Sequence, residues 1–344
     1  MRTAVVGAGL AGTLLAWRLA RMPGNEVTLI GRPASTDATA ASGGLVRGFE
    51  VDAHASRLAT GSLLELRGSR TLREWSGYRE SGSLYVCDAA AAGAAAAVER
   101  ALPGSVRVLS QADLQRGYGL GGLPDDAVGL AERRAGWYSP DRLRTSIGCE
   151  LAGLGVTRVA APVTSVGPGV CRAGQMVHRF DRVVLATGRW TGTLLRRSGL
   201  PADGYRTKLI QYSVARMAGP PLPALVDDTS GLYGRSTPDG SALLGLPSRR
   251  WDIPPDAPVA VPALAARLVE IAAVRLPGRT LGPATVTAGA DCYCEPPGLQ
   301  LRPVADVPDL FTFTGGSGGA AKTALAASTV AARQLSTVLT GGRL

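Results

Sequence analysis

Val5-Val6-Gly7-Ala8-Gly9-Leu10-Ala11-Gly12 opens the chain as a strand, a glycine turn and a helix. Arg2 to Val6 are mostly apolar and read as a buried parallel strand. Gly7 permits the tight turn, Gly9 lets backbone approach a diphosphate, and Gly12 lets the following helix pack close to its strand. Leu14, Leu15, Ala16, Leu19 and Ala20 give that helix a buried stripe, and Met22-Pro23-Gly24 stops it. Glu26 to Ile30 then form a second strand. Amide N–H groups at the helix start, backed by the helix dipole, suit a diphosphate. A glycine pattern alone is weak; placed between such a strand and helix, it predicts a dinucleotide site rather than a structural turn.

A second glycine segment closes the chain: Phe311-Thr312-Phe313-Thr314-Gly315-Gly316-Ser317-Gly318-Gly319-Ala320-Ala321-Lys322. It too reads as strand, turn and helix. A nicotinamide dehydrogenase usually spends one such turn on its cofactor. A flavin enzyme that buries FAD lengthwise needs one turn for the diphosphate and a distant one beside the ring. The pair therefore favours FAD. Between them, Ala38 to Arg47 form a small-residue loop whose backbone can lie against a flat cofactor.

Composition bounds the alternatives. The 344 residues suffice for two domains, and 45% hydrophobic with 19% charged residues describes a soluble globular protein. No apolar run reaches the ~20 residues of a membrane span, and a strand that starts at Arg2 leaves no room for a signal peptide. The net charge is +10, yet only two of the 37 basic residues are lysines, Lys208 and Lys322. The arginines are scattered and aromatics amount to 5%, which argues against nucleic acid. Attraction of cofactor phosphates and an acidic substrate is use enough for the charge. Five cysteines without a secretory signal predict reduced thiols in the cytoplasm. Cys292-Tyr293-Cys294 has no second cysteine pair or neighbouring histidine, so no metal site is expected. With only His54 and His178, little remains for a serine-type triad.

Along the chain, one helix is expected over Asp52 to Trp75, a strand over Gly82 to Cys87 and an alanine-rich helix over Ala89 to Leu102. Ser139-Pro140 reads as a capped helix entry. Strands follow near Val156 to Ala160 and at Arg182 to Ala186, and His178 falls in a surface strand between Gln175 and Phe180. Thr207 to Leu246 is strand-rich, and a helix is expected from Ala257 to about Arg275. The expected fold class is α/β: a discontinuous Rossmann-type FAD-binding domain (1–78, 139–200 and 297–344) plus a smaller α+β substrate domain with an antiparallel sheet (79–138 and 201–296).

These pieces together resemble the D-amino-acid oxidase family of FAD-dependent oxidoreductases, which includes glycine and sarcosine oxidases. Besides the two turns and the Ala38 to Arg47 loop, Ala135-Gly136-Trp137-Tyr138-Ser139-Pro140 is similar to that family's helix entry. Arg182 to Trp190 is similar to its second-strand signature, and Gly231 to Arg235 with Pro238-Asp239-Gly240 to its substrate-domain hairpin. The resemblance implies cofactor contacts at Gly7, Gly9, Leu10, Ala11, Gly12 and Arg32, and in the loop at Ser42, Gly43, Gly44 and Leu45. It extends them to Val163, Thr187, Gly188 and Trp190, and to Gly315, Gly316, Ser317, Gly318, Gly319 and Lys322.

Departures accompany the likeness. Family members place an acid for the adenosine ribose at the end of the second strand, where this chain has Gly31-Arg32. Losing that charge-assisted hydrogen bond would weaken FAD by ~1.5–3 kcal/mol, and the arginine admits an NADP-dependent reductase as an alternative. The closing turn lacks the bulky and histidine residues of relatives. No lysine stands where the hairpin would place one above the ring, which admits a flavoprotein subunit that passes electrons to an acceptor other than oxygen. Cys292 or Cys294 could attach the flavin covalently, or both are ordinary buried thiols.

The expected reaction is FAD-dependent oxidation of a C–N bond in a small amine, imine or amino acid, in specialised-metabolite biosynthesis, with hydride passing to flavin N5. The resemblance implies reoxidation by O2 to give H2O2. Such chemistry needs orientation more than acid–base machinery. Lys322 is expected to stabilise the reduced ring, Arg47 to approach the ring or the substrate carboxylate, and Tyr233 with Arg235 to bind that carboxylate from the roof. Lys208, Gln211, Tyr212 and Tyr293 are further candidates.

Overall fold

A computed structural model describes residues 1–34 and 36–337. Two sheets organise it. The first has six strands in the order Gln300–Pro303, Leu310–Thr314, Arg182–Leu185, Arg2–Val6, Glu26–Ile30 and Thr157–Val159. All neighbours are parallel except the Gln300–Pro303 edge. Such a sheet must be covered on both faces, and its strands are accordingly apolar: Ala4, Val5 and Val183 to Leu185 are inaccessible to solvent.

One face is covered by the helices Leu10–Ala20, Pro140–Gly153 and Ala320–Thr337, with Leu14, Leu15, Leu143, Ile147 and Phe313 at the centre of that core. The other is covered by the helix Thr191–Arg197 and a meander of Val163–Gly167, Val170–Ala173 and Met176–Arg179. His178 lies on this outer meander, as expected.

The second sheet has eight strands in the order Thr280–Tyr293, Arg206–Ala218, Ser241–Gly245, Tyr233–Ser236, Ala224–Asp227, Ser83–Asp88, Ala127–Glu132 and Val106–Leu109. It is antiparallel except where Ala224–Asp227 runs parallel to Ser83–Asp88. The α/β class with a parallel and a largely antiparallel sheet is thus as read from the sequence. Among the described residues no helix is long and apolar enough to cross a membrane.

Local expectations meet mixed outcomes. Ser139 accepts from Arg142 N–H at 3.2 Å with Pro140 in the first turn, so that helix starts where its cap dictates. The single helix expected over Asp52 to Trp75 is two, Ala53–Gly68 and Arg70–Ser76. Ser69 is extended between them and caps the second by accepting from Leu72 N–H at 3.2 Å. A side-chain oxygen competing for backbone donors outweighed the helical pattern. The alanine tract begins as a 3-10 turn, Ala91–Ala94, and is α-helical only over Ala95–Ala101. The helix expected from Ala257 starts at Pro262; Val261 before it is extended, as a residue preceding proline favours.

Gly12 sets how closely the first helix lies on its strand. A Cβ there would stand 1.9 Å from the Gly7 carbonyl oxygen, a backbone atom that no rotamer change can move aside. Gly12→Val should therefore cost more than about 3 kcal/mol, read as a fall in the urea midpoint; a wild-type midpoint would contradict this close approach.

Candidate active site

The helix Leu10–Ala20 starts at Gly9 without any side-chain cap. Leu10 N–H donates to Thr39 Oγ1 at 3.0 Å, and among the described residues nothing accepts from Ala11 N–H. The closing turn, a 3-10 segment Ser317–Gly319 leading into Ala320–Thr337, likewise has no side-chain cap. Two helix starts thus carry exposed donors and positive dipole ends. They open into one cavity of about 780 Å³.

Gly7, Gly9, Leu10, Ala11 and Arg32 line one part of that cavity, and Val163, Thr187, Gly188 and Trp190 line it further. Ser42, Gly43, Gly44, Leu45 and Arg47 bring the small-residue loop to its wall. Gly315, Gly316, Ser317, Gly318 and Lys322 complete it from the closing turn, and Tyr233 comes from the second sheet. A Cβ on Gly9 would meet only Thr39 Oγ1, at 3.4 Å, so backbone there is open to a ligand. These residues fit an extended dinucleotide: a wide, mostly apolar cleft with uncapped helix starts at two places along it.

Gly12, Gly319 and Arg235 do not line the cavity. Gly12 acts instead through packing, and Gly319 lies beside the Lys322 side chain, 3.2 Å from Cε to a Cβ built on the glycine. The correction at Arg235 is larger. Its guanidinium lies 3.8 Å from the Trp137 ring centroid, and Nε donates to the Gly43 carbonyl at 2.8 Å. Cation–π attraction and that hydrogen bond hold it behind the loop, so it braces the cavity wall from outside the lining. Burial pushes its pKa down to about 10.

Gly31 is required by the backbone, with φ of +127°. The acid six positions on, Asp37, lines the cavity but is ion-paired with Arg144 and accepts from Ala40 N–H at 2.8 Å.

Arg47 and Lys322 meet at a carboxylate that sequence reading missed. Glu50 Oε1 is 2.8 Å from Arg47 Nη2 and 2.6 Å from Lys322 Nζ. Arg47 Nε also donates to the Phe49 carbonyl at 2.9 Å, and its guanidinium sits 4.7 Å from the Tyr85 ring centroid. Glu132, from the second sheet, accepts from Gly48 and Phe49 N–H at 2.8 and 2.9 Å and fixes the backbone beside this cluster. Burial raises the pKa of Glu132 against those two bonds. For Glu50 burial also pushes upward, yet Arg47 and Lys322 together hold it below the ordinary value. Lys322 is lowered, first by burial and then by Arg47, with Glu50 opposing. The spacing of Arg47 and Glu50, three apart beside a cationic loop end, was the available signal.

The roof is richer than the hairpin suggested. Lys208, Tyr212 and Tyr293 line the cavity, as does Asp291, which the sequence reading passed over. Lys208, on the strand Arg206–Ala218 and not on the hairpin, brings a lysine to the cavity. Gln211 does not line the cavity and instead accepts from Val261 N–H at 2.6 Å. The signal for Asp291 was a lone acid in the otherwise apolar Ala288-Gly289-Ala290-Asp291-Cys292-Tyr293-Cys294. Of the two cysteines, Cys292 lines the cavity and Cys294 does not. Among the described residues no group of acids, cysteines and histidines could hold a metal.

The family model described as FAD dependent oxidoreductase (DAO) matches residues 2–334. No curated protein is similar enough in sequence to match. Among solved structures, L-proline dehydrogenase from P. horikoshii superposes with a TM-score of 0.80 at 15% identity, covering 98% of this chain and 93% of that one. Iminodiacetate oxidase from Chelativorans sp. BNC1 does so at 0.76 and 19%, covering 98% and 95%. NikD, an amino acid oxidase of nikkomycin biosynthesis, does so at 0.73 and 20%, covering 96% and 93%. At these identities the likeness establishes the fold.

Replacing Glu50 by Gln leaves two buried cations facing each other. The variant should lose about 3–5 kcal/mol at neutral pH. A carboxylate held below its ordinary value contributes stability above pH 4.5 that is lost as pH falls through the folded-state pKa. The gap between wild type and E50Q should therefore be widest above 4.5 and close on acidification, as read by thermal melts across pH; a pH-independent gap would refute the ion cluster.

Proposed function

This chain belongs to the DAO family of FAD-dependent oxidoreductases, and on that premise we propose that it oxidises a C–N bond in a small amine or amino acid. The observation that carries the reading is the single cavity that joins both glycine turns and is roofed by Lys208, Tyr212, Tyr233 and Tyr293. FAD bound there would supply a two-electron acceptor for hydride from the carbon bearing nitrogen. The N-terminal turn, with Arg32, would hold the diphosphate and adenosine; the small-residue loop and the closing turn would hold the ring. Family membership sets aside the nicotinamide-dependent alternative.

The chain's own residues then have simple tasks. Arg47 and Lys322 bring two cations to one wall of the cavity, which suits electron density arriving on a ring beside it. Tyr233 donates its O–H to the Gln211 carbonyl at 3.0 Å and presents a fixed aromatic surface. Lys208 replaces Arg235 as the roof cation for an anionic substrate group. The sheet membership supports a cofactor unit of 1–78, 139–200 and 297–344 and a substrate unit of 79–138 and 201–296; residues 338–344 lie outside the described residues.

Anaerobic addition of amines and amino acids to the FAD-loaded protein should bleach the flavin absorbance, and air should restore it with release of peroxide. A protein that no amine or amino acid bleaches would sink the reading, while bleaching without peroxide would assign another electron acceptor and a dehydrogenase. The Cys292 thiol is pushed up to about 11 by burial, so it is a poor thiolate nucleophile. Acid precipitation should accordingly leave the yellow colour in the supernatant; a yellow pellet would show a covalent link.

A further inference from the structure

Lys208 and Asp291 are directly opposite each other on the paired strands Arg206–Ala218 and Thr280–Tyr293. Both line the cavity. Opposite charges at such positions ordinarily pair, but no ion pair joins these two. Lys208 Nζ stands instead over aromatic rings, 4.8 Å from the Trp251 centroid and 5.5 Å from that of Tyr293. Asp291 is 6% exposed, and among the described residues no group donates a hydrogen bond to its carboxylate. A buried carboxylate without a donor is costly to fold. Such a group in a cleft points to a ligand that satisfies it.

Its neighbours place it at the closing turn. Asp291 Oδ2 is 3.4 Å from a Cβ built on Gly318, and Tyr293 forms an isolated bridge to Gly316. The titratable groups around it are Lys208 from the adjacent strand, Tyr233 from the hairpin, and Cys292 and Tyr293 from its own strand. The turn Gly315 to Gly319 brings no titratable side chain. Lys208 is thus the sole cation among these neighbours.

We infer that Asp291 and Lys208 together receive a zwitterionic amino acid, Asp291 accepting a proton from the substrate ammonium while Lys208 faces its carboxylate. The inference rests on the amine-oxidising reading above. In this step one N–H bond of the ammonium breaks and one O–H bond forms on the Asp291 carboxylate. The nitrogen keeps its electron pair, and nothing is oxidised or reduced. A neutral amine is the form from which hydride can leave. Burial raises the Asp291 carboxyl to about 7, with Lys208 opposing, so it can take and release a proton near neutrality.

The test uses the FAD-loaded protein and the proteinogenic amino acids with N-methylglycine and pipecolate as probes, followed by anaerobic flavin bleaching. For a probe that bleaches wild type, the second-order rate should rise with pH through about 7. D291N should lose that limb and bleach about 100-fold more slowly at saturation. K208M should keep the limb but shift it upward, because the cation that lowers Asp291 is gone. Its half-saturating concentration should rise about tenfold, with the rate at saturation little changed.

A second readout separates this from a structural role. A carboxyl raised on folding costs stability as pH climbs from its ordinary 3.8 through 7. D291N should therefore melt above wild type well beyond pH 7 and match it near 3.8. If D291N bleaches like wild type across pH, or melts lower at every pH, the inference is overturned while the amine-oxidising reading stands. If no probe bleaches wild type, that reading fails and takes the inference with it.

Discussion

A single carboxylate, Glu50, is shared by cations drawn from distant parts of the chain, Arg47 from the loop and Lys322 from the last helix. The next two backbone amides after Arg47 are held by Glu132, which belongs to the other sheet. Antiparallel sheet, loop and closing helix are thereby tied at one buried point. Two cations on one anion would repel in water-poor surroundings. The cluster persists because Arg47 is also held by the Phe49 carbonyl and the Tyr85 ring. Ring contacts and backbone hydrogen bonds win over like-charge repulsion.

The roof is organised on the opposite principle. There the charges are kept apart: Lys208 is drawn toward Trp251 and Tyr293, and Asp291 is left without a donor. Stability alone would favour closing this pair. An arrangement that foregoes an available contact stores unmatched polarity for whatever enters the cleft.

What the sequence made legible was local. The first strand, glycine turn and helix depend on neighbours within twenty residues, and so does the Ser139-Pro140 entry. Both glycine turns and the small-residue loop were found because backbone approach demands small residues wherever it occurs. Arg235 was misplaced because strand alternation gives a face and not what lies across it; Trp137 and the Gly43 carbonyl captured it. Glu50, Glu132 and Asp291 were missed because their roles arise from strands and helices remote in sequence. A lone acid in an apolar stretch was the trace Asp291 left. Ser69 shows the reverse failure, in which a short-range cap overrode an amphipathic pattern.

Neither helix start at the cavity has a side-chain cap. A serine or aspartate is a common finish for such an end. Apart from the Thr39 hydroxyl on Leu10 N–H, the chain leaves that work to something it does not encode, so the nucleotide acts as a missing piece of secondary structure as much as a reagent. Anything that completes those ends only in the native state adds its binding free energy to folding. The steady-state abundance of such a protein in a cell is therefore coupled to the supply of its vitamin-derived cofactor, independently of whether the substrate is present.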